Sequence, residues 1–215
     1  MNGATVFIQL CQIGVLPVIR GNNKEEAICA VEALAQGGIP VSEITMTVPG
    51  AIDVIRDLVK QAGDRLTIGA GTVTDVKTCA AAIDAGCRFV VTPILNPDVI
   101  RLCRQKDVCI IGGALTPTEV FATFQAGADA VKVFPAKAMG GPAYLQMLHE
   151  PFPELPLVPT GGVSLETLAD YFKAGASLVG AGGDLVSRDA LSSGDMEHIT
   201  RRARQYVTAI AKLRE

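Results

Sequence analysis

Tryptophan is absent from the 215-residue chain, aromatic residues make up only 5% of it, and histidine occurs twice, at His149 and His198. A metal centre needs several nitrogen, sulfur or oxygen ligands converging on one point. The two histidines form no such set with nearby acids, so no metal and no cofactor are expected. Charge is scarce too: 19% of residues are charged, and the formal net charge is −3. That balance offers no general attraction to nucleic acid or to an anionic membrane, so neither is expected as a partner. A transmembrane helix is excluded by the longest uncharged stretch, Asn2 to Ile19, which is interrupted by Gln9, Gln12, Gly14 and Pro17. It also lacks a basic leader and a small-residue cleavage site, so it does not read as a signal peptide. The six cysteines include no C-x-x-C pair and none beside a histidine. They read as reduced, mostly buried small apolar residues of a cytoplasmic protein.

Apolar residues, by contrast, are plentiful at 49%, which with the low net charge excludes disorder. They fall into eight short runs rich in β-branched residues: VLPVI from Val15, VSEIT from Val41, LTIGAG from Leu66, RFVVT from Arg88, VCIIG from Val108, AVKVF from Ala130, LPLVP from Leu155 and SLVGA from Ser177. Most are continuous rather than alternating, as in strands of a parallel sheet buried on both faces. The segments between them carry helical periodicity. One stripe comprises Ala51, Ile55, Leu58 and Val59; another comprises Ile199, Ala203, Tyr206, Val207, Ile210 and Leu213. Asn23 with Glu26, Thr116-Pro117-Thr118-Glu119 and Asn96-Pro97-Asp98 read as helix starts. The Ala-Gly pairs of DAGC (84–87), QAGA (125–128) and KAGA (173–176) read as helix ends. Eight strand–helix units at steps of 20–26 residues, with no linker between them, predict one (β/α)8 TIM-barrel domain over 1–215. An open doubly wound sheet is the alternative built from the same local pattern. Residues Ala4 to Ile13 precede the first strand and are expected to form an extra helix over the barrel floor.

Against this apolar background, two charges inside strands need explaining. Lys132 lies in AVKVFPA, where a charged side chain is costly unless it is paired or used. Desolvation favours the neutral amine, which can attack a carbonyl. Glu43 lies in VSEITMT with Thr45 on the same strand face, and it is suited either to pair with Lys132 or to move protons. The turns PTGGV (159–163) and GAGGD (180–184) follow the seventh and eighth runs. There, barrel enzymes often hold phosphate with backbone N–H groups. GAGTV (69–73) ends the third run and would present Thr72 to a substrate oxygen. The basic residues Arg201, Arg202, Arg204, Lys212 and Arg214 read as the solvated face of the last helix.

Taken in order, LPVIRG (16–21), EITMT (43–47), GAGTV (69–73), VTP (91–93), VKVFPA (131–136), GGPAYLQ (140–146) and PTGGV (159–163) run through most of the chain. This set resembles the 2-keto-3-deoxy-6-phosphogluconate / 4-hydroxy-2-oxoglutarate aldolase family. The resemblance implies a class I, metal-independent aldolase acting on a small 2-keto acid, on a (β/α)8 barrel, as a cytoplasmic homotrimer. It makes Lys132 the Schiff-base lysine, Glu43 the acid–base residue and Thr72 a contact to the pyruvyl carboxylate. Thr92 and Pro93 fall among the substrate contacts, and Gly161, Gly162, Gly182 and Gly183 fall on the phosphate-binding turns. Two positions depart from the best-known members: Thr47 stands where they carry a carboxylate-gripping arginine, and Asp184 where they carry a phosphate-contacting serine. A threonine lacks the bidentate pairing of arginine, and an aspartate facing a phosphate would repel it. Arg20, at the end of the first strand, is the candidate for the missing positive charge. Two other readings stand beside this one: a phosphate-binding epimerase or isomerase barrel, and a catalytically silent barrel that binds a keto acid.

Overall fold

The computed structural model describes residues 2–214. Eight short strands alternate with helices: β1 (Val15–Ile19), β2 (Val41–Thr45), β3 (Thr67–Gly71), β4 (Phe89–Val91), β5 (Cys109–Ala114), β6 (Ala130–Val133), β7 (Leu157–Pro159) and β8 (Val179–Ala181). Every residue in these strands is buried, which accounts for their continuous apolar runs. All pairings are parallel, in the order β7-β6-β5-β4-β3-β2-β1-β8. Bridges Leu157–Ala176 and Thr160–Gly180 join the two ends. The sheet is therefore closed into a (β/α)8 barrel, and the open doubly wound alternative is excluded. Five strands begin one or two residues later than their apolar runs. In LPLVP the reason is visible: Pro156 has no N–H to give, and its carbonyl accepts from Val131 at 2.8 Å before the ladder proper starts.

The helices are α1 (Gly3–Ile13), α2 (Lys24–Gln36), α3 (Ala51–Ala62), α4 (Val76–Asp84), α5 (Pro97–Gln105), α6 (Pro117–Gln125), α7 (Pro142–His149), α8 (Leu165–Lys173), α9 (Arg188–Ser193) and α10 (Met196–Lys212). Their starts are built as the sequence indicates. Asn23 accepts from Glu26 N–H, Asn96 from Asp98 and Val99, and Thr116 forms a reciprocal capping box with Glu119. The helix-ending glycines Gly86, Gly127 and Gly175 have φ of 94°, 99° and 95°, a conformation that glycine adopts without penalty. Helix α1 lies under the barrel. Gly3 N–H reaches Asp107 just before β5, and Gln9 accepts from Thr67 at the start of β3.

Two expectations need correction. The stripe of the last helix is narrower than its apolar pattern: Ile199, Ala203, Tyr206 and Ile210 are buried, but Val207 and Leu213 are exposed. Val207 lies to one side of the face that meets the core, and Leu213 is the cap residue beyond the last turn of α10, past the core. Helix α9, six residues capped by Ser187, was also unforeseen; it follows the eighth strand before the long α10 begins. Among the described residues, four cysteines are buried and free, Cys11 is half-buried and Cys29 is exposed. No described helix is long and apolar enough to cross a membrane.

Candidate active site

Strands β2 and β6 are four positions apart in a ring of eight, so they face each other across the barrel axis. Side chains pointing inward from them meet near the centre. Glu43 comes from β2 and Lys132 from β6, and Lys132 Nζ lies 3.8 Å from Glu43 Oε1. Both are buried, at 1% and 3% exposure, and they are the only charged side chains so buried among the described residues. Space for Glu43 is made by Gly71 on β3, where a Cβ would sit 1.9 Å from Glu43 Oε1. The 3.8 Å separation is too long for a hydrogen bond, and Oε1 has no hydrogen-bond partner. Burial raises the Glu43 pKa above the ordinary carboxylate value, and the charges of Lys132 and Arg20 offset only part of that. Glu43 is thus a carboxyl group with an uncommitted oxygen, able to give and take protons beside an amine.

Above this pair, at the C-terminal end of the strands, opens a cavity of about 780 Å³. Phe134 links the two: its ring lines the cavity and its centroid lies 5.4 Å from Lys132 Nζ. The cavity gathers residues far apart in sequence: Arg20 after β1, Gly161 and Gly162 after β7, and Gly182 and Gly183 after β8. The backbone N–H groups of these four glycines donate to no backbone carbonyl among the described residues. Ser164 and Thr167, from the first turn of α8, complete that wall. Unpaired N–H groups beside a helix start form an anion-binding concavity. Arg20 leans against the second turn, where a Cβ on Gly182 would lie 3.2 Å from its Nη1.

The remaining expected contacts lie at the same barrel end but do not line this cavity. Thr72 has a φ of 58°, rare for a β-branched residue. Thr92 is buried; its hydroxyl donates to the Ile94 carbonyl at 2.7 Å and accepts from Gly113 N–H at 2.9 Å, clipping the loop that contains Pro93 over β5. Thr47 is exposed in a smaller pocket shared with Arg20. Since Thr45 gives its own proton to the Ile19 carbonyl, the 2.6 Å contact between the two hydroxyls has Thr47 donating to Thr45. Asp184 does line the cavity, but both its carboxylate oxygens are engaged. Oδ1 accepts from Arg202 and Oδ2 from Tyr206, each at 2.7 Å. A repulsive carboxylate is thereby tied back to α10 and neutralised. Lys137, Thr160 and Tyr171 line the cavity without having been singled out in the sequence. Lys137 carried one faint signal, a second lysine just past the strand that holds Lys132. Among the described residues no group of three or more His, Cys, Asp or Glu is placed to hold a metal.

The family model described as "KDPG and KHG aldolase" matches residues 7–202. The chain belongs to the KDPG and KHG aldolase family. As a member it is an aldolase, a lyase. It is 36% identical over 207 residues to the 2-dehydro-3-deoxy-phosphogluconate aldolase of Dickeya dadantii, covering 96% of this chain and 97% of that one. Among solved structures of KDPG and KHG aldolase type, the Legionella pneumophila KDPG aldolase superposes with a TM-score of 0.86 at 29% identity, covering 95% of this chain and 97% of that one. That structure holds pyruvate captured at low pH as a covalent carbinolamine intermediate. A structure named "Native KDPGal structure" superposes with a TM-score of 0.85 at 31% identity, covering 93% and 95% of the two chains.

Proposed function

We propose that this chain is a class I, Schiff-base aldolase that cleaves a 2-keto-3-deoxy sugar acid, 2-keto-3-deoxy-6-phosphogluconate or a close relative, to pyruvate and an aldehyde such as glyceraldehyde 3-phosphate. The observation that carries this reading is a lysine buried in the barrel centre, 3.8 Å from a carboxyl group with an uncommitted oxygen, beneath a glycine-walled cavity. The covalent carbinolamine of the Legionella relative supports the same chemistry.

In this mechanism the free amine of Lys132 attacks the C2 ketone, and the resulting carbinolamine loses water to give an iminium. Glu43 supplies the proton that lets water leave. The iminium is an electron sink: the C3–C4 bond breaks as the C4 hydroxyl gives its proton to Glu43, so the aldehyde leaves and an enamine remains. Protonation at C3 gives the pyruvyl iminium, and water then releases pyruvate and restores the amine. Thr72 is assigned to the pyruvyl carboxylate, with Thr47, Thr92 and Pro93 shaping the loops around it. Gly161, Gly162, Gly182 and Gly183, with Arg20, are assigned to the distal phosphate. The working form is a homotrimer, which sedimentation analysis of the purified chain checks, and its place is the cytoplasm.

Borohydride reduction in the presence of pyruvate is expected to leave a stable adduct on Lys132, located by peptide mass mapping. Lys132→Ala is expected to abolish cleavage. An unmodified Lys132, or undiminished cleavage in the variant, overturns the assignment. Activity is expected to survive prolonged treatment with a strong chelator, whereas a metal-dependent epimerase or isomerase would lose it.

A further inference from the structure

We propose that Lys137 is a specificity-determining residue that selects substrates whose distal end is a dianionic phosphate. The proposal rests on the reading of the cavity as the distal-phosphate site. Lys137 opens the single turn that follows β6, at Lys137–Met139. Its backbone N–H donates to the Gly161 carbonyl at 3.0 Å. Its aliphatic stem lies flat on the first glycine turn: a Cβ on Gly162 would be 2.4 Å from Lys137 Cβ and 2.5 Å from its Cδ. The side chain forms no ion pair among the described residues, and Lys137 lines the cavity.

Arg20 leans on the other glycine turn, against Gly182. Each Gly-Gly turn therefore has one cation packed against it. The nearby anion, Asp184, is already matched by Arg202 and Tyr206. A phosphate monoester carries about −1.5 to −2 charge at neutral pH. One guanidinium leaves it undercompensated, whereas a guanidinium and an ammonium, one on each glycine turn, balance it. A neutral hydroxymethyl terminus gains nothing from the second cation. Lysine suits the role because a compact charge on a long stem reaches a phosphate oxygen without the fixed fork of arginine.

The test uses the full chain with Lys137→Met, which keeps the stem over Gly162, and Lys137→Arg, which keeps the charge. Titration with inorganic phosphate at fixed ionic strength is expected to show about tenfold weaker binding in Lys137→Met and recovery to within about threefold in Lys137→Arg. With substrate, the ratio of kcat/KM for phosphorylated over unphosphorylated 2-keto-3-deoxygluconate is expected to fall about tenfold in Lys137→Met, through KM. Unchanged phosphate affinity in Lys137→Met, or an equal loss for both substrates, overturns the proposal. If the wild-type chain releases no pyruvate from either substrate while phosphate affinity still depends on Lys137, the aldolase reading fails and the assignment of Lys137 stands.

Discussion

Replacing Gly71 by alanine tests whether the position of the Glu43 carboxyl, and not merely its presence, sets the rate. The added Cβ would lie 1.9 Å from Glu43 Oε1 and 2.4 Å from both Cδ and Cγ. Ordinary non-bonded contact is about 3.5 Å, so the carboxyl has to move by more than about 1 Å. Glu43 is 1% exposed and packed inside the barrel, so it cannot simply swing into solvent. Overpacking of this kind costs about 1–3 kcal/mol, which for a chain of this size lowers Tm by roughly 2–12 °C. The variant is therefore expected to fold at 25 °C. Misplacing a catalytic group by about 1 Å costs on the order of a hundredfold in rate. The assay is pyruvate release coupled to lactate dehydrogenase, with kcat and Tm measured on the same preparation. Gly69→Ala supplies the comparison: two residues down the same strand, its Cβ would have its three nearest contacts in the Phe89 ring, at 2.1–2.3 Å, in place of the Glu43 carboxyl. It is expected to lose stability with a smaller loss of kcat. A Gly71→Ala enzyme with kcat within about threefold of wild type would refute the idea that the carboxyl must stand where it does.

The raised pKa of Glu43 has a stability counterpart. Its native state favours the protonated form, so the contribution of Glu43 is fully present below the ordinary carboxylate value and is lost as pH rises through the folded value. Glu43→Gln is therefore expected to gain Tm relative to wild type as pH rises above about 4.5; a difference that stays constant or shrinks with pH counts against it. Thr72→Gly relieves a positive φ at a β-branched residue, so stability should hold or rise by about 1 kcal/mol. Its kcat/KM should fall about tenfold or more if the hydroxyl holds the substrate carboxylate, and full activity would remove Thr72 from the site. Tyr206→Phe deletes the donor to Asp184 Oδ2 and is expected to cost about 1–3 kcal/mol in urea denaturation. A loss below about 0.5 kcal/mol would mean that Arg202 alone holds the carboxylate.

Much of the fold is legible in the sequence because a barrel repeats one local unit. Each strand is buried on both faces, so each writes the same short apolar run, and the returns at Gly86, Gly127 and Gly175 use the same left-handed glycine. The helix starts at Asn23, Asn96 and Thr116 are local too, since a cap and its N–H partner lie two or three residues apart. What the local pattern leaves out is how much of a helix meets the core. Val207 and Leu213 extend an apolar stripe in the sequence, yet only a three-dimensional neighbour decides that they stay in water.

The site divides along the same line. Lys132 and Glu43 stand out in sequence because charge inside an apolar strand is costly anywhere. That the two meet follows only from closure, which sets β2 opposite β6. Asp184 shows the limit most clearly. Read as a neighbour of the glycine turn, it opposes an anion. Its partners Arg202 and Tyr206 lie 18 and 22 residues further on, on a helix that passes back over the turn. The sign of a residue's effect on a bound anion depends on whether its charge is already matched, and here the match is made by Arg202, which sequence places on a solvated face, and Tyr206, which it places in an apolar stripe. Lys137 is the reverse case. It is an exposed lysine in the wall of the cavity, and the packing of its stem on Gly162 is what supports assigning its charge to that cavity. The electrostatics of this cavity are thus set by which charges tertiary contacts cancel and which they leave free. On that account, exchanging charges at Asp184 and Lys137 should change phosphate affinity in unequal amounts, and the unmatched lysine should matter more.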